Sequence, residues 1–261
     1  MFTTKLGLCI IAIHYIVMVV VGADSPSIES KIIGGSQAPI SQFPYQILIK
    51  VPTGGNTYEY CGGALISPYW VLTAVHCFYG RTLNNVEVIA GRTSYSSGGY
   101  GQYAQQVTIH GNYGGLGLKI VNDIALVRVG QPFAYGPNVQ PIALFNGNVA
   151  DGTWAWVTGW GTVSATSNQI PDQLQKLQVR TISLQQCKQS YNNLQLSSNN
   201  LCATNGRTGT CSGDSGGPVM ANGWLIGVVS AGPRPCGNGN PDIYMNVAAY
   251  RQWIFNVAGV K

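Results

Sequence analysis

Charge is scarce in this 261-residue sequence: Asp, Glu, Lys and Arg make up 9% of it, as 14 basic and 9 acidic residues. No Lys/Arg cluster occurs, so the net charge of +5 reads as a solvated surface and no nucleic-acid partner is expected. From Val88 to Asn122 there is no Asp or Glu at all, which excludes a calcium loop there, because such loops are built from carboxylate oxygens. Histidine occurs only at His14, His76 and His110, and there is no C-x-x-C pair, so the ligand spacing of a zinc site is missing. No metal and no cofactor is therefore expected. An N-x-S/T acceptor for N-glycosylation is also absent.

Long hydrophobic runs are missing too, with one exception. Lys5 precedes an apolar stretch from Leu6 to Val21, closed by the small residues Gly22 and Ala23. The stretch is shorter than the roughly 20 residues of a membrane-spanning helix. A basic start, an apolar middle and a small-residue end predict a secretory signal over 1–23, hence a secreted, extracellular product with no membrane anchor. Of 7 cysteines, Cys9 leaves with that signal. Cys61, Cys77, Cys187, Cys202, Cys211 and Cys236 remain, an even number bound for an oxidising compartment, so disulfides are expected. Their pairing does not follow from the count.

Glycine and proline punctuate the rest every few residues. Between them lie short runs rich in Val, Ile, Trp and Tyr: 45–51, 64–66, 86–90, 124–129, 155–158 and 224–229. Such runs predict strands, and their repetition predicts an all-β barrel or sandwich. Residues 93–118, rich in Gly, Ser and Tyr, read as surface hairpins. Helical periodicity is clear only at the end, where Val247, Tyr250, Trp253, Ile254 and Val257 share a face and Gly259 is a stop.

The stretch "GTCSGDSGGP" places Ser215 in a G-x-S-x-G setting. A serine hydroxyl is a poor nucleophile until a base takes its proton, and that base is usually a histidine oriented by a carboxylate. Chain order discriminates between the known arrangements. No histidine follows Ser215, which excludes the order of α/β-hydrolases, and the only acids before His76 are Asp24, Glu29 and Glu59, which disfavours the subtilisin order. What survives is His, Asp, Ser. His76, in "LTAVHC", is the candidate base, although by itself it reads equally well as a core histidine. His110 reads as a surface residue. Asp123 heads the apolar "NDIALVRV" and is the candidate acid, with Asp151 and Asp172 in turn-like sequence as weaker ones.

With "IIGG" at 32–35, "LTAVHC" at 72–77, "NDIAL" at 122–126, "GWG" at 159–161 and "CSGDSGGPV" at 211–219, the chain resembles the chymotrypsin/trypsin family of serine endopeptidases over residues 32–258. The resemblance implies two six-stranded antiparallel barrels, approximately 32–145 and 146–250, with a C-terminal α-helix and the site between them. It implies bridges Cys61–Cys77, Cys187–Cys202 and Cys211–Cys236. It implies that His76, Asp123 and Ser215 are catalytic, that the Gly213 and Ser215 amides form an oxyanion hole, and that Ser230 stands beside Asp123. It implies a precursor with an activation peptide over 24–31, cut after Lys31 by a trypsin-like protease. The freed Ile32 ammonium would then pair with Asp214.

The same resemblance assigns Gly209, Thr210, Ser230, Gly232 and Asp242 to substrate binding. Trypsin-like members carry Asp at the pocket floor, where this chain has Gly209; Asp242 stands on the opposite wall and Gly232 at the entrance. That combination resembles the brachyurins, arthropod digestive proteases of broad, collagenolytic specificity. It implies cleavage after Arg and Lys and after large apolar residues. A narrow trypsin-like or chymotrypsin-like protease is the alternative, and a non-catalytic binding relative a more distant one. Protein substrates, proteinaceous inhibitors and a monomeric state are the implied partnerships.

Overall fold

The computed structural model describes residues 32–164, 169–192 and 194–261. The predicted signal and activation peptide, Lys31 included, lie outside the described residues. Fourteen strands run in chain order: β1 Ser36–Gln37, β2 Gln46–Gly54, β3 Thr57–Leu65, β4 Trp70–Thr73, β5 Glu87–Ala90, β6 Tyr100–Ile109, β7 Ala125–Val129, β8 Ala143–Leu144, β9 Trp154–Gly159, β10 Gln175–Ile182, β11 Asn200–Thr204, β12 Pro218–Ala221, β13 Trp224–Ala231 and β14 Asp242–Asn246. The first barrel closes in the order β2-β3-β4-β7-β6-β5. The second closes as β9-β10-β11-β14-β13-β12, with β12 pairing back onto β9; β1 is added beside β10, and β8 beside β13 in parallel. The fold is therefore all-β, two six-stranded antiparallel barrels with a short C-terminal helix.

Side-chain alternation explains the closure. In β10, Leu177, Val179 and Thr181 are buried while Gln178 and Arg180 are exposed, the period of a strand wetted on one face. Strand β2 has no such alternation: Ile47, Ile49 and Val51 fill the first barrel, and Leu48 points the other way. Leu48 joins Ile40, Ile89, Trp160 and Leu174 in an apolar cluster contributed by both barrels. A run buried on both faces is what lets the two barrels pack.

Two elements depart from the sequence reading. The polar stretch 93–118 contains β6, a ten-residue barrel wall, with only Ala104 and Val107 packed on the core. The helix α1, Leu184–Gln189, was not anticipated, yet Ser183 and Gln186 form a reciprocal capping box at its start, a signal present in "SLQQ". At the C-terminus, a 3-10 turn over Val247–Tyr250 leads into α2, Arg251–Ala258, and Gly259 ends it in the left-handed conformation at φ 68°. Among the described residues no helix is long and apolar enough to cross a membrane.

Candidate active site

The site grows from three short segments. After β4 the chain turns through a 3-10 helix, Val75–Cys77, and Cys77 is bonded to Cys61 of β3, which fixes the position of His76. Asp123 immediately precedes the buried Ile124 and β7 and is itself 0% exposed. A carboxylate taken out of water must find donors. Three converge on it: the His76 amide reaches Oδ1 at 2.9 Å, His76 Nδ1 lies 2.7 Å from Oδ2, and the Ser230 hydroxyl donates to Oδ2 at 2.6 Å. The first barrel supplies His76 and Asp123, and β13 of the second supplies Ser230. A carboxylate at Nδ1 selects the tautomer with the proton there, which leaves Nε2 as an acceptor facing the cleft.

Ser215 lies on a loop held by backbone bonds from both barrels. The Gly62 amide of β3 donates to the Ser215 carbonyl at 2.7 Å, and the Gly216 amide to Val229 of β13 at 2.8 Å. Gly216 has φ 76°, and a Cβ there would meet Thr73 Oγ1 at 2.2 Å, so only glycine fits. Gly213 has φ 102° and turns the chain against Gly161. Among the described residues no hydrogen bond joins the His76 ring to the Ser215 hydroxyl. Both line one cleft of about 610 Å³, and such bonds commonly tighten only when substrate is bound.

Asp214, beside the nucleophile, is fully buried. Its Oδ1 accepts from the Gly161 amide at 2.8 Å and its Oδ2 from the Cys211 amide at 2.9 Å. Among the described residues no cation pairs with it, and burial pushes its carboxyl up to about 6 against the pull of those two amides. Ile32 is 0% exposed and belongs to the core of the second barrel. The next residue, Ile33, bridges Gly209, which couples the predicted cleavage junction to the pocket floor.

Asp242, the first residue of β14, is 3% exposed and wedged between the two pocket glycines. A Cβ on Gly209 would stand 3.0 Å from its Oδ2, and one on Gly232 would stand 2.6 Å from its Oδ1. Oδ2 accepts from the Thr210 amide at 2.8 Å and from the Tyr244 hydroxyl at 3.4 Å. Among the described residues, Oδ1 is buried with no hydrogen-bond partner. Burial pushes the carboxyl up to about 7, and the charge of Asp214 adds to the rise.

Of the sequence candidates, His76, Gly213, Ser215, Thr210, Ser230 and Gly232 line the cleft, Asp242 lies behind Gly232 and against Gly209 without lining it, and Asp214 and Ile32 are fully buried. All three disulfides pair as the resemblance implied. His110 corrects the reading of it as a plain surface residue: it is half-buried against Tyr250 and Trp253. Asp172 is held by Ser94 and Ser96 on the outside, away from His76. Sequence reasoning missed Tyr58, Glu59 and Tyr60 of β3, Leu116, Ile170 and Arg234, which also line the cleft. Only folding gathers these, and no local pattern marks them.

The family model described as "Trypsin" matches residues 32–254. Trypsin alpha of Drosophila erecta is 36% identical over 237 residues, 89% of this chain and 90% of that protein. Chymotrypsin-2 of Vespa crabro is 34% identical over 225 residues, 85% of this chain and 98% of that protein. Among solved structures, neuropsin, described as a serine protease expressed in the limbic system of mouse brain, superposes with a TM-score of 0.77. It is 29% identical, with 85% of this chain and 97% of that one covered.

Proposed function

Because the chain belongs to the trypsin family of serine endopeptidases, we propose that it is secreted as an inactive precursor and hydrolyses peptide bonds through His76, Asp123 and Ser215. The observation that carries this reading is the buried Asp123 carboxylate, shared between the His76 amide, the His76 ring and Ser230 at the edge of the cleft that holds Ser215. His76 Nε2 takes the Ser215 proton as Oγ attacks the substrate carbonyl. The oxyanion is received by the Gly213 and Ser215 amides, each donor worth about 3–4 kcal/mol in comparable sites. The amine leaves with the proton from His76, and water then hydrolyses the acyl-enzyme with the same base. Asp123 keeps its charge and stabilises the imidazolium.

Activation follows from Asp214. A buried carboxylate without a cation is costly. Cleavage after Lys31 by a trypsin-like protease would create an α-ammonium on Ile32, a residue already in the core beside the pocket loops. Pairing of that ammonium with Asp214 would order the turn that carries the oxyanion donors.

The primary pocket supports a broad, brachyurin-like preference. Asp242 Oδ1 has no internal partner and stands against Gly232, so a Lys or Arg side chain would find a carboxylate there. With Gly at 209 and 232 the floor and entrance also admit large apolar side chains. The product acts as a monomeric extracellular digestive protease on proteins and peptides, open to proteinaceous inhibitors. An active-site titrant of serine hydrolases tests the reading on the trypsin-activated chain. One equivalent of adduct on Ser215 is expected, lost in Ser215→Ala and absent before activation. An activated chain that neither takes up the titrant nor cleaves protein would falsify it.

A further inference from the structure

Among the described residues, two charged side chains outside the triad and the primary pocket line the cleft, Glu59 of β3 and Arg234 after β13. Glu59 is neutralised: Arg81 Nη2 lies 2.5 Å from its Oε2. Arg234 is not. Its Nη1 donates to the Ser212 hydroxyl at 3.1 Å, and among the described residues no carboxylate pairs with it. The guanidinium is exposed at the rim, parked on a neutral acceptor two residues from Gly232.

The backbone beneath it is restrained. Pro233 and Pro235 flank Arg234 and fix their own φ angles, and Cys236 is bonded to Cys211 of the nucleophile loop. Arg234 is thus a fixed mount for a free charge. The direction of the substrate follows from the chemistry. The leaving amine takes its proton from His76, so the downstream half departs on the side of the Cys61–Cys77 bridge next to it. The acyl half stays on Ser215 with its side chain between Gly209, Thr210 and Gly232, and its preceding residues pass Arg234.

We propose that Arg234 is a specificity-determining residue that selects substrates bearing a carboxylate upstream of the residue seated in the primary pocket. The Ser212 hydroxyl is exchanged for a substrate carboxylate, a neutral hydrogen bond for a charge-assisted one. The inference rests on the endopeptidase reading above. Because the pair is partly exposed, the expected gain is about 2- to 5-fold in kcat/KM, and it shrinks with added salt.

The test uses the full chain activated by immobilised trypsin and fluorogenic peptides that differ only in Glu, Gln or Lys at each upstream position. In the wild type, the Glu/Gln ratio of kcat/KM should be about 2–5 at one upstream position and fall toward 1 at high salt. It should drop to about 1 in Arg234→Gln, and Lys should overtake Glu in Arg234→Glu. Ratios within each protein cancel differences in folded fraction. A wild-type ratio near 1 at every position, or a ratio that survives Arg234→Gln, overturns the assignment while leaving the protease reading intact. Failure to cleave any of the peptides overturns both.

Discussion

If the Asp242 carboxyl receives basic substrate side chains as proposed, the choice of substrate should depend on pH, and the size of the effect follows from its surroundings. It is buried, one oxygen accepts from the Thr210 amide and the Tyr244 hydroxyl, the other has no partner among the described residues, and the neighbouring titratable groups are Tyr244, Tyr191 and Asp214, none of them cationic. Its carboxyl is raised from an ordinary 3.8 to about 7, chiefly by burial. Between those values the folded protein holds a proton that the unfolded chain has released, so stability falls as pH rises through that window and levels off above about 7. The whole loss is on the order of 4 kcal/mol, at about 1.4 kcal/mol per pH unit. A basic substrate side chain seated against it would offset that cost by supplying a cation. A leucine side chain would not.

The assay is therefore the ratio of kcat/KM for an Arg substrate to that for a matched Leu substrate, measured from pH 5 to 9 on the activated enzyme. Any pH dependence of the shared chemical steps affects both substrates and cancels. The ratio should climb by up to about tenfold per pH unit below 7 and flatten above it, as the ionised fraction of Asp242 saturates. In Asp242→Asn it should be independent of pH and, at pH 8, lower by about two to three orders of magnitude, the range expected when a buried charge loses its partner. The same variant should melt at higher temperature than the wild type at pH 8 and show no such advantage at pH 4. A wild-type ratio that stays level across the whole range, or that matches the Asn variant, would refute the claim that this carboxylate receives the basic side chain.

Three further outcomes are expected. Asp123→Asn should lower kcat by about 10⁴, since Asn at that position favours the wrong tautomer of His76. Ser230→Ala removes one of three donors from the same carboxylate and should cost about 10- to 100-fold in kcat with little change in KM. At alkaline pH the activated enzyme should lose activity reversibly: an Ile32 ammonium paired with Asp214 has its pKa raised above the ordinary α-amino value of about 8, and the pairing is lost as pH rises through it. Activity that persists well above about pH 10 would argue against that switch.

How much of this was legible before folding depends on the kind of signal. The strands that were read in advance are those whose apolar side chains face a core on one or both sides, such as Ile47 to Val51 and Ala155 to Thr158. β6 escaped because Tyr100, Gly101, Tyr103, Gln105 and Gln106 face water and its hydrogen bonds, not its side chains, close the barrel. The short helix α1 carried a readable cap in Ser183 and Gln186, but six residues are too few for periodicity to speak.

The site divides along the same line. Glycines at 213 and 216 are readable because a turn that demands positive φ leaves a residue-type mark on the sequence. His76 and Asp123 are readable as a pair because a poor nucleophile needs a base and the base needs an acid, so chain order carries information. The pocket is less so. Asp242 meets Gly209 and Gly232 only because β14 lies between β11 and β13, and nothing within "NPDIY" reveals that one of its oxygens ends without a partner. Arg234 is the extreme case. In sequence it is one of 14 basic residues in a proline-rich turn, and its free charge at the rim exists only once Ser212, rather than an acid, is folded against it. Residues whose role is set by what is absent around them leave no pattern in the chain, so the contribution of Arg234, unlike that of the triad, emerges only from the folded structure.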